Sequence, residues 1–163
     1  MKLVTIMILL WSFLGLGCSS KEGFFSPDAL HESALRHSQK GEIYNSLEMK
    51  ASIVATYLNS TVIQCNKVES EVFLIAIYID EDSSDESKQG ILNPSFTLSL
   101  EGQRPSHIEA LPYDDDLIKI APFRNRWSTY YKVDFPHTGK NTLTLIYRHL
   151  NHGEVTLKFL KDY

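Results

Sequence analysis

Thr129–Leu160, TYYKVDFPHTGKNTLTLIYRHLNHGEVTLKFL, is the stretch whose reading decides the fold. Thr129, Tyr131, Val133 and Phe135 alternate with Tyr130, Lys132 and Asp134. After Pro136-His137-Thr138-Gly139-Lys140, Leu143, Leu145 and Tyr147 alternate with Thr144 and Arg148. After Asn151-His152-Gly153 the same period returns in Val155, Leu157 and Phe159. A period of two sends successive side chains to opposite faces, so each run reads as a half-buried strand and the segments between them as turns.

Moving outward, Glu71–Ile79 (EVFLIAIYI) is a nearly unbroken apolar run rich in β-branched and aromatic residues, which predicts a central strand. Met49–Tyr57 and Phe96–Leu100 alternate cleanly, and Ile108–Leu111 and Leu117–Ala121 are shorter candidates around Pro112 and Asp114-Asp115-Asp116. Glu42–Glu48 has no clear period, and Asp80–Gly90 is an acidic, serine-rich loop. Upstream, Ser26-Pro27-Asp28 has the chemistry of a helix start. Asp28–Lys40 places Leu30, Ala34 and His37 on one thin face, and Gly41 reads as the stop. About seven or eight short strands with Gly, Pro and Asn punctuation predict a mainly β chain, a two-sheet antiparallel sandwich with a short N-terminal helix.

The chain has 163 residues, 43% hydrophobic and 22% charged, which suits one domain with a real core. Its net charge of -4 argues against a nucleic-acid partner, which leaves a basic footprint. Its start, MKLVTIMILLWSFLGLGCSS, has a cationic Lys2, an apolar run from Leu3 to Leu14 and small residues leading to Cys18, the layout of a secretory signal peptide. The apolar run is shorter than the ~20 residues that span a bilayer. Of the two cysteines, Cys18 belongs to this segment and Cys65 reads as a small buried apolar side chain.

Gly17-Cys18, followed by polar Ser19-Ser20-Lys21, resembles the lipobox of bacterial lipoproteins, although Gly15 stands where that family prefers leucine. The resemblance implies cleavage before Cys18, acylation of Cys18 (palmitate among its chains) and membrane attachment. Ser19 in place of aspartate implies the outer membrane of a Gram-negative cell. Residues 1–17 are then the signal peptide, 18–41 a lipidated tether and short helix, and 42–163 the folded domain. Ser19–Ser26, with Phe24 and Phe25 near its end, reaches at most ~29 Å. Separately, Phe135-Pro136, Gly139-Lys140-Asn141 and Leu143–Tyr147 look like the turn and strand near the end of immunoglobulin-like domains. With no cysteine pair and no core tryptophan, the domain is similar to the disulfide-free Ig-like domains of bacterial envelope proteins.

No nucleophile elbow, zinc-protease helix or phosphate-cradling glycine loop occurs, so the reading is non-enzymatic, with no cofactor. Asp80, Glu81, Asp82, Asp85 and Glu86 lack the glycine and terminal glutamate of a calcium loop and read as solvated, as do Asp114–Asp116. His149 and His152 flank the last turn; without a third ligand nearby their default is to close it rather than to hold a metal. Pro122–Tyr131 (PFRNRWSTYY) is the strongest binding candidate. Phe123, Arg124, Arg126, Trp127 and Tyr130, with Tyr113, are the residue types of interaction hot spots, or else ordinary packing at a sheet edge. The expected function is a membrane-anchored, non-enzymatic interaction module for a protein or envelope polymer. A periplasmic module for a small ligand or metal is the alternative.

Overall fold

The computed structural model describes residues 29–61, 69–80 and 89–161. The signal-like start with Cys18, the tether with Phe24 and Phe25, the Ser26-Pro27-Asp28 helix start, Cys65 and most of the acidic loop lie outside them. Among the described residues eight strands form two antiparallel sheets. They are β1 (Ser38–Asn45), β2 (Glu48–Tyr57), β3 (Ser70–Ile79), β4 (Phe96–Leu100), β5 (His107–Leu111), β6 (Thr129–Pro136), β7 (Thr142–His149) and β8 (Gly153–Leu160). One sheet runs β1-β2-β3-β6-β5 and the other β4-β7-β8.

The alternation maps onto two distinct apolar layers. Between the sheets lie Ile53, Ala55, Phe73, Ile75, Val133 and Phe135 from one side and Leu98, Leu143, Leu145, Tyr147, Leu157 and Phe159 from the other. Phe73 meets Phe135 and Phe159 edge-on, at centroid separations of 5.8 and 5.2 Å. A second layer covers the outer face of the five-stranded sheet, where Val72, Leu74, Ala76 and Tyr130 pack beneath Ala34, Ile118, Ile120 and Ala121. β3 is therefore buried on both faces, which is why its sequence is an apolar run rather than an alternation. Each large side chain so buried contributes about 1.5–3 kcal/mol.

Two elements differ from the sequence reading. Helix α1 covers Ala29–Arg36 and stops short of Lys40, and Gly41 lies inside β1. Ser38 explains the early end: its Oγ donates to Ala34 O at 2.6 Å and shares a 2.6 Å hydrogen bond with Thr56 Oγ1, tying the chain into β2. Gly41 serves close approach rather than termination, since a Cβ there would stand 2.2 Å from Val155 Cγ2 on β8. The strand expected over Leu117–Ala121 is instead a short helical turn, α2 (Asp116–Lys119). Asp115 caps it by accepting from Leu117 N–H at 2.8 Å. Ile118, Ile120 and Ala121 are all buried, and so short and apolar a run does not distinguish a helical turn from a strand by its period.

Glu71 fastens the far end of the sandwich. It is 1% exposed and accepts from Lys161 Nζ at 2.6 Å, Tyr57 OH at 2.6 Å and Thr138 N–H at 3.0 Å. Lys161 also donates to Thr138 O at 2.6 Å. The residue after β8 is thus locked to the start of β3 and to the connection between β6 and β7.

Candidate functional site

Strand register gathers one set of connections at a single end. Asn45 pairs with Glu48, Ala51 with Ile79, Ile77 with Thr129 and Leu111 with Tyr130. The β1–β2 turn, Asp80 and the long connection 112–128 therefore sit together. The small sheet reaches the same end, because a Cβ on Gly90 would lie 2.5 Å from Thr129 Oγ1, and Phe96 of β4 pairs with His149. The large apolar side chains exposed here are Tyr44, Leu47, Leu92, Tyr113, Phe123, Trp127 and Leu150. Elsewhere among the described residues only Leu30, Leu35 and Leu160 are comparable, so the apolar exposure is concentrated.

The Pro122–Ser128 segment dominates this end and has a defined conformation. Asn125 Oδ1 accepts from the backbone N–H of Trp127 and of Ser128, each at 2.9 Å. Tyr130 OH accepts from Asn125 N–H at 2.9 Å and donates to Asn125 O at 3.0 Å. Tyr130 itself is buried, and that burial pushes its phenol above its ordinary value despite the hydrogen bond to Asn125. Arg124 lies over the Tyr113 ring at 4.1 Å and donates to Tyr113 O at 2.9 Å. Tyr113 in turn meets Tyr130 edge-on at 6.1 Å.

The structure thus brings together the candidates read from sequence and sorts them by role. Trp127 is 82% exposed and Phe123 65% exposed, so neither is core. Arg126 is exposed and has no ion pair among the described residues. Tyr113 and Arg124 brace each other, and Tyr130 holds the loop from beneath. Phe123 adopts φ 57, a left-handed conformation that costs a non-glycine residue roughly 1–2 kcal/mol. The bulky ring is held outward at that cost with no compensating burial.

Beside Trp127 a groove of about 430 Å³ is lined by Met49, Ser52, Tyr78, Asn125 and Trp127. Sequence reasoning missed Met49 and Tyr78. Both belong to strands remote in sequence and come to Trp127 only through register; the signal that could have pointed to this end is Leu47, an apolar residue in a tight turn and 96% exposed.

The other candidates have local tasks. His149 Nδ1 accepts from the N–H of Asn151 at 3.0 Å and of His152 at 3.1 Å, and the two imidazoles stack at 4.3 Å. That lone pair is used in closing the turn. Asp115 caps α2 and Asp116 pairs with Lys119, leaving Asp114 exposed. Among the described residues no group of three or more His, Cys, Asp or Glu could hold a metal ion, and no helix is long and apolar enough to cross a membrane. Comparison with family models, with curated proteins and with solved structures finds no match to this chain.

Proposed function

We propose that the chain is a lipid-anchored envelope protein whose folded part is an Ig-like, non-enzymatic binding module, and that it binds through the end carrying Trp127. Strand order supports the Ig-like assignment. Constant-type immunoglobulin domains place strands A, B, E and D in one sheet and C, F and G in the other. Reading β2 to β8 as A to G reproduces this arrangement, with β1 added beside A. On that reading Asp80, residues 89–95 and the 112–128 and 150–152 connections sit at the end where variable domains carry their recognition loops. Anchoring at Cys18 in the outer membrane rests on the lipobox resemblance, and the partner is a protein or envelope polymer.

The observation that carries the binding reading is the 82% exposure of Trp127 beside an open groove, on a loop that its own hydrogen bonds hold in place. The test is photo-crosslinking in intact cells from an amino acid placed at position 127, against a control at exposed Lys158 on β8. Discrete adducts from 127 and none from 158 are expected; the same adducts from both positions would sink the reading. For the anchor, incorporation of radioactive fatty acid should disappear in Cys18→Ala, and persistence there would remove the assignment. The groove's volume also falls in the range of small-molecule sites, which favours a small-ligand module as the second reading. A thermal shift induced by a small ligand or a divalent ion, lost in Trp127→Ala, would promote it.

A further inference from the structure

We propose that His149 makes the β7–β8 turn an acid-sensitive catch, closed while its imidazole is neutral and released when the ring takes up a proton. The inference concerns the turn alone and stands whether or not the Trp127 end binds a partner. β7 and β8 pair as far as His149 and Gly153, so Leu150, Asn151 and His152 alone make the connection. Gly153, at φ 94, takes the left-handed position that closes a three-residue hairpin loop. Two of the loop's backbone donors, the N–H groups of Asn151 and His152, go to His149 Nδ1, at 3.0 and 3.1 Å. The third, Leu150 N–H, goes to Ser95 O at 2.9 Å.

One nitrogen lone pair thus holds the tip. To accept there, the neutral ring carries its proton on Nε2, so the next proton has only Nδ1 to occupy. Imidazolium donates from both nitrogens, and a donor at Nδ1 would confront two N–H groups that need an acceptor. His149 is 8% exposed and meets the Phe96 ring of β4 at 4.6 Å, so little water is at hand to settle that conflict in place. Among the described residues the titratable and charged groups around it are few. His152 stacks on it at 4.3 Å, Tyr147 lies two residues back on β7, and Tyr131 of β6 belongs to the same layer between the sheets. Arg148 and Glu154 pair with each other on the exposed face of the sheet. None of these supplies the two amides with another acceptor. Released, they turn to water, which reaches exposed Asn151 and half-buried His152 while the strand pairing remains. The open tip takes the proton more readily than the closed one, so closure gains stability as pH rises and loses it as pH falls below the ordinary imidazole value of about 6.5.

The test follows the full chain in neutral detergent by nuclear magnetic resonance from about pH 8 to about pH 5, the span in which an ordinary imidazole changes charge. At the upper limit the ring nitrogen shifts should show His149 protonated on Nε2, with Nδ1 bare. As the ring titrates, amide exchange at Asn151 and His152, corrected for its intrinsic pH dependence, should quicken at least about tenfold. The Leu150 amide, held by Ser95 O, and the amides of β3 should stay protected. In His149→Asn a side-chain oxygen can accept from the same N–H two residues on and cannot be charged, so the turn should stay closed and its pH response vanish. A His149 ring protonated on Nδ1 at about pH 8 overturns the proposal. So does a ring that titrates while Asn151 and His152 stay protected, or one still neutral at about pH 5. A response that survives in His149→Asn also overturns it. Should the β3 amides show that this variant does not fold, the titration of the parent decides alone.

Discussion

Glu71→Gln is expected to be among the most damaging single substitutions that leave side-chain volume unchanged. The carboxylate is 1% exposed and faces Lys161, whose side chain is 8% exposed. With glutamine in place, the Lys161 ammonium stays buried against an amide oxygen and Thr138 O, at 2.6 Å, but has lost the carboxylate charge that balanced it. Breaking a buried ion pair from one side costs about 3–5 kcal/mol, because the surviving charge has lost its partner without regaining water. For a domain of this size about 3 kcal/mol lowers Tm by roughly 10 °C. Lys161→Met leaves Glu71 with Thr138 N–H, Tyr57 OH and the half-exposed His137 imidazole, whose Nδ1 stands 3.0 Å away, and should cost less, about 2 kcal/mol.

The double variant is the decisive measurement. Removing both charges together leaves no orphan, so Glu71→Gln/Lys161→Met should cost about 2–3 kcal/mol rather than the ~5 of the summed singles, a coupling of about 2–3 kcal/mol. Urea unfolding followed by far-ultraviolet circular dichroism gives all four corners of the cycle. Additive singles, or a Glu71→Gln cost below about 1 kcal/mol, would refute the claim that this pair fastens the sandwich. Acid supplies a second check. Burial pushes the Glu71 carboxyl up, but Lys161, Thr138 N–H and Tyr57 OH together outweigh it and hold it below its ordinary value of 4.5. A carboxyl lowered by folding contributes stability that is complete above its unfolded value and is lost as pH falls through the folded one. The parent should therefore lose stability below roughly pH 4.5, and Glu71→Gln should show a flatter profile there.

Three further outcomes follow from individual side chains. Tyr147 is 1% exposed, and its hydroxyl, pushed above its ordinary value by burial, has no hydrogen-bond partner among the described residues. Tyr147→Phe should be neutral or stabilising by about 1 kcal/mol in the same urea assay, and a loss above that size would contradict it. Phe123→Gly relieves a left-handed residue, a gain of about 1–2 kcal/mol against 0.5–1 kcal/mol of added chain entropy. Tm should therefore rise slightly while crosslinking from position 127 falls. Tyr130→Phe removes both hydrogen bonds to Asn125 at a cost of about 1–2 kcal/mol. Hydrogen exchange should quicken at Trp127 and Ser128 while the amides of β3 stay protected.

Period and composition made much of the architecture legible. The run Glu71–Ile79 became the strand between β2 and β6, and the three alternating runs from Thr129 onward became β6, β7 and β8. The misreadings have physical causes. Leu117–Ala121 is too short for period two and period 3.6 to separate, and the Asp115 cap decided it. Gly41 was indistinguishable from a helix stop because its reason for being glycine is Val155, more than a hundred residues away. The exposed loop Pro122–Ser128 was visible because Phe, Arg and Trp crowd into a few positions. The burial of Tyr130 was not: the alternation correctly sends its ring to the outer face of the sheet, but only the packing of α1 and α2 reveals that this part of the outer face is covered.

That partial cover connects stability to presentation. α1 and α2 shield the outer face over Val72, Leu74 and Ala76, and the face emerges at Ser52, Tyr78 and the groove. Tyr130 stands at the boundary, its ring in the covered layer and its hydroxyl on Asn125, whose side chain fixes the backbone of Trp127 and Ser128. The loop's order is therefore set when the second apolar layer closes. Ordering a loop on binding costs roughly 0.5–1.5 kcal/mol for each immobilised side chain, and here the Asn125 and Tyr130 hydrogen bonds have settled much of that cost during folding. On the proposed binding reading, a surface prepared in this way would bind with little rearrangement, and its affinity would depend on how well the second layer is packed. Substitutions under α2, at Ile118 or Ala121, should then weaken crosslinking from position 127 although neither side chain lies in the groove.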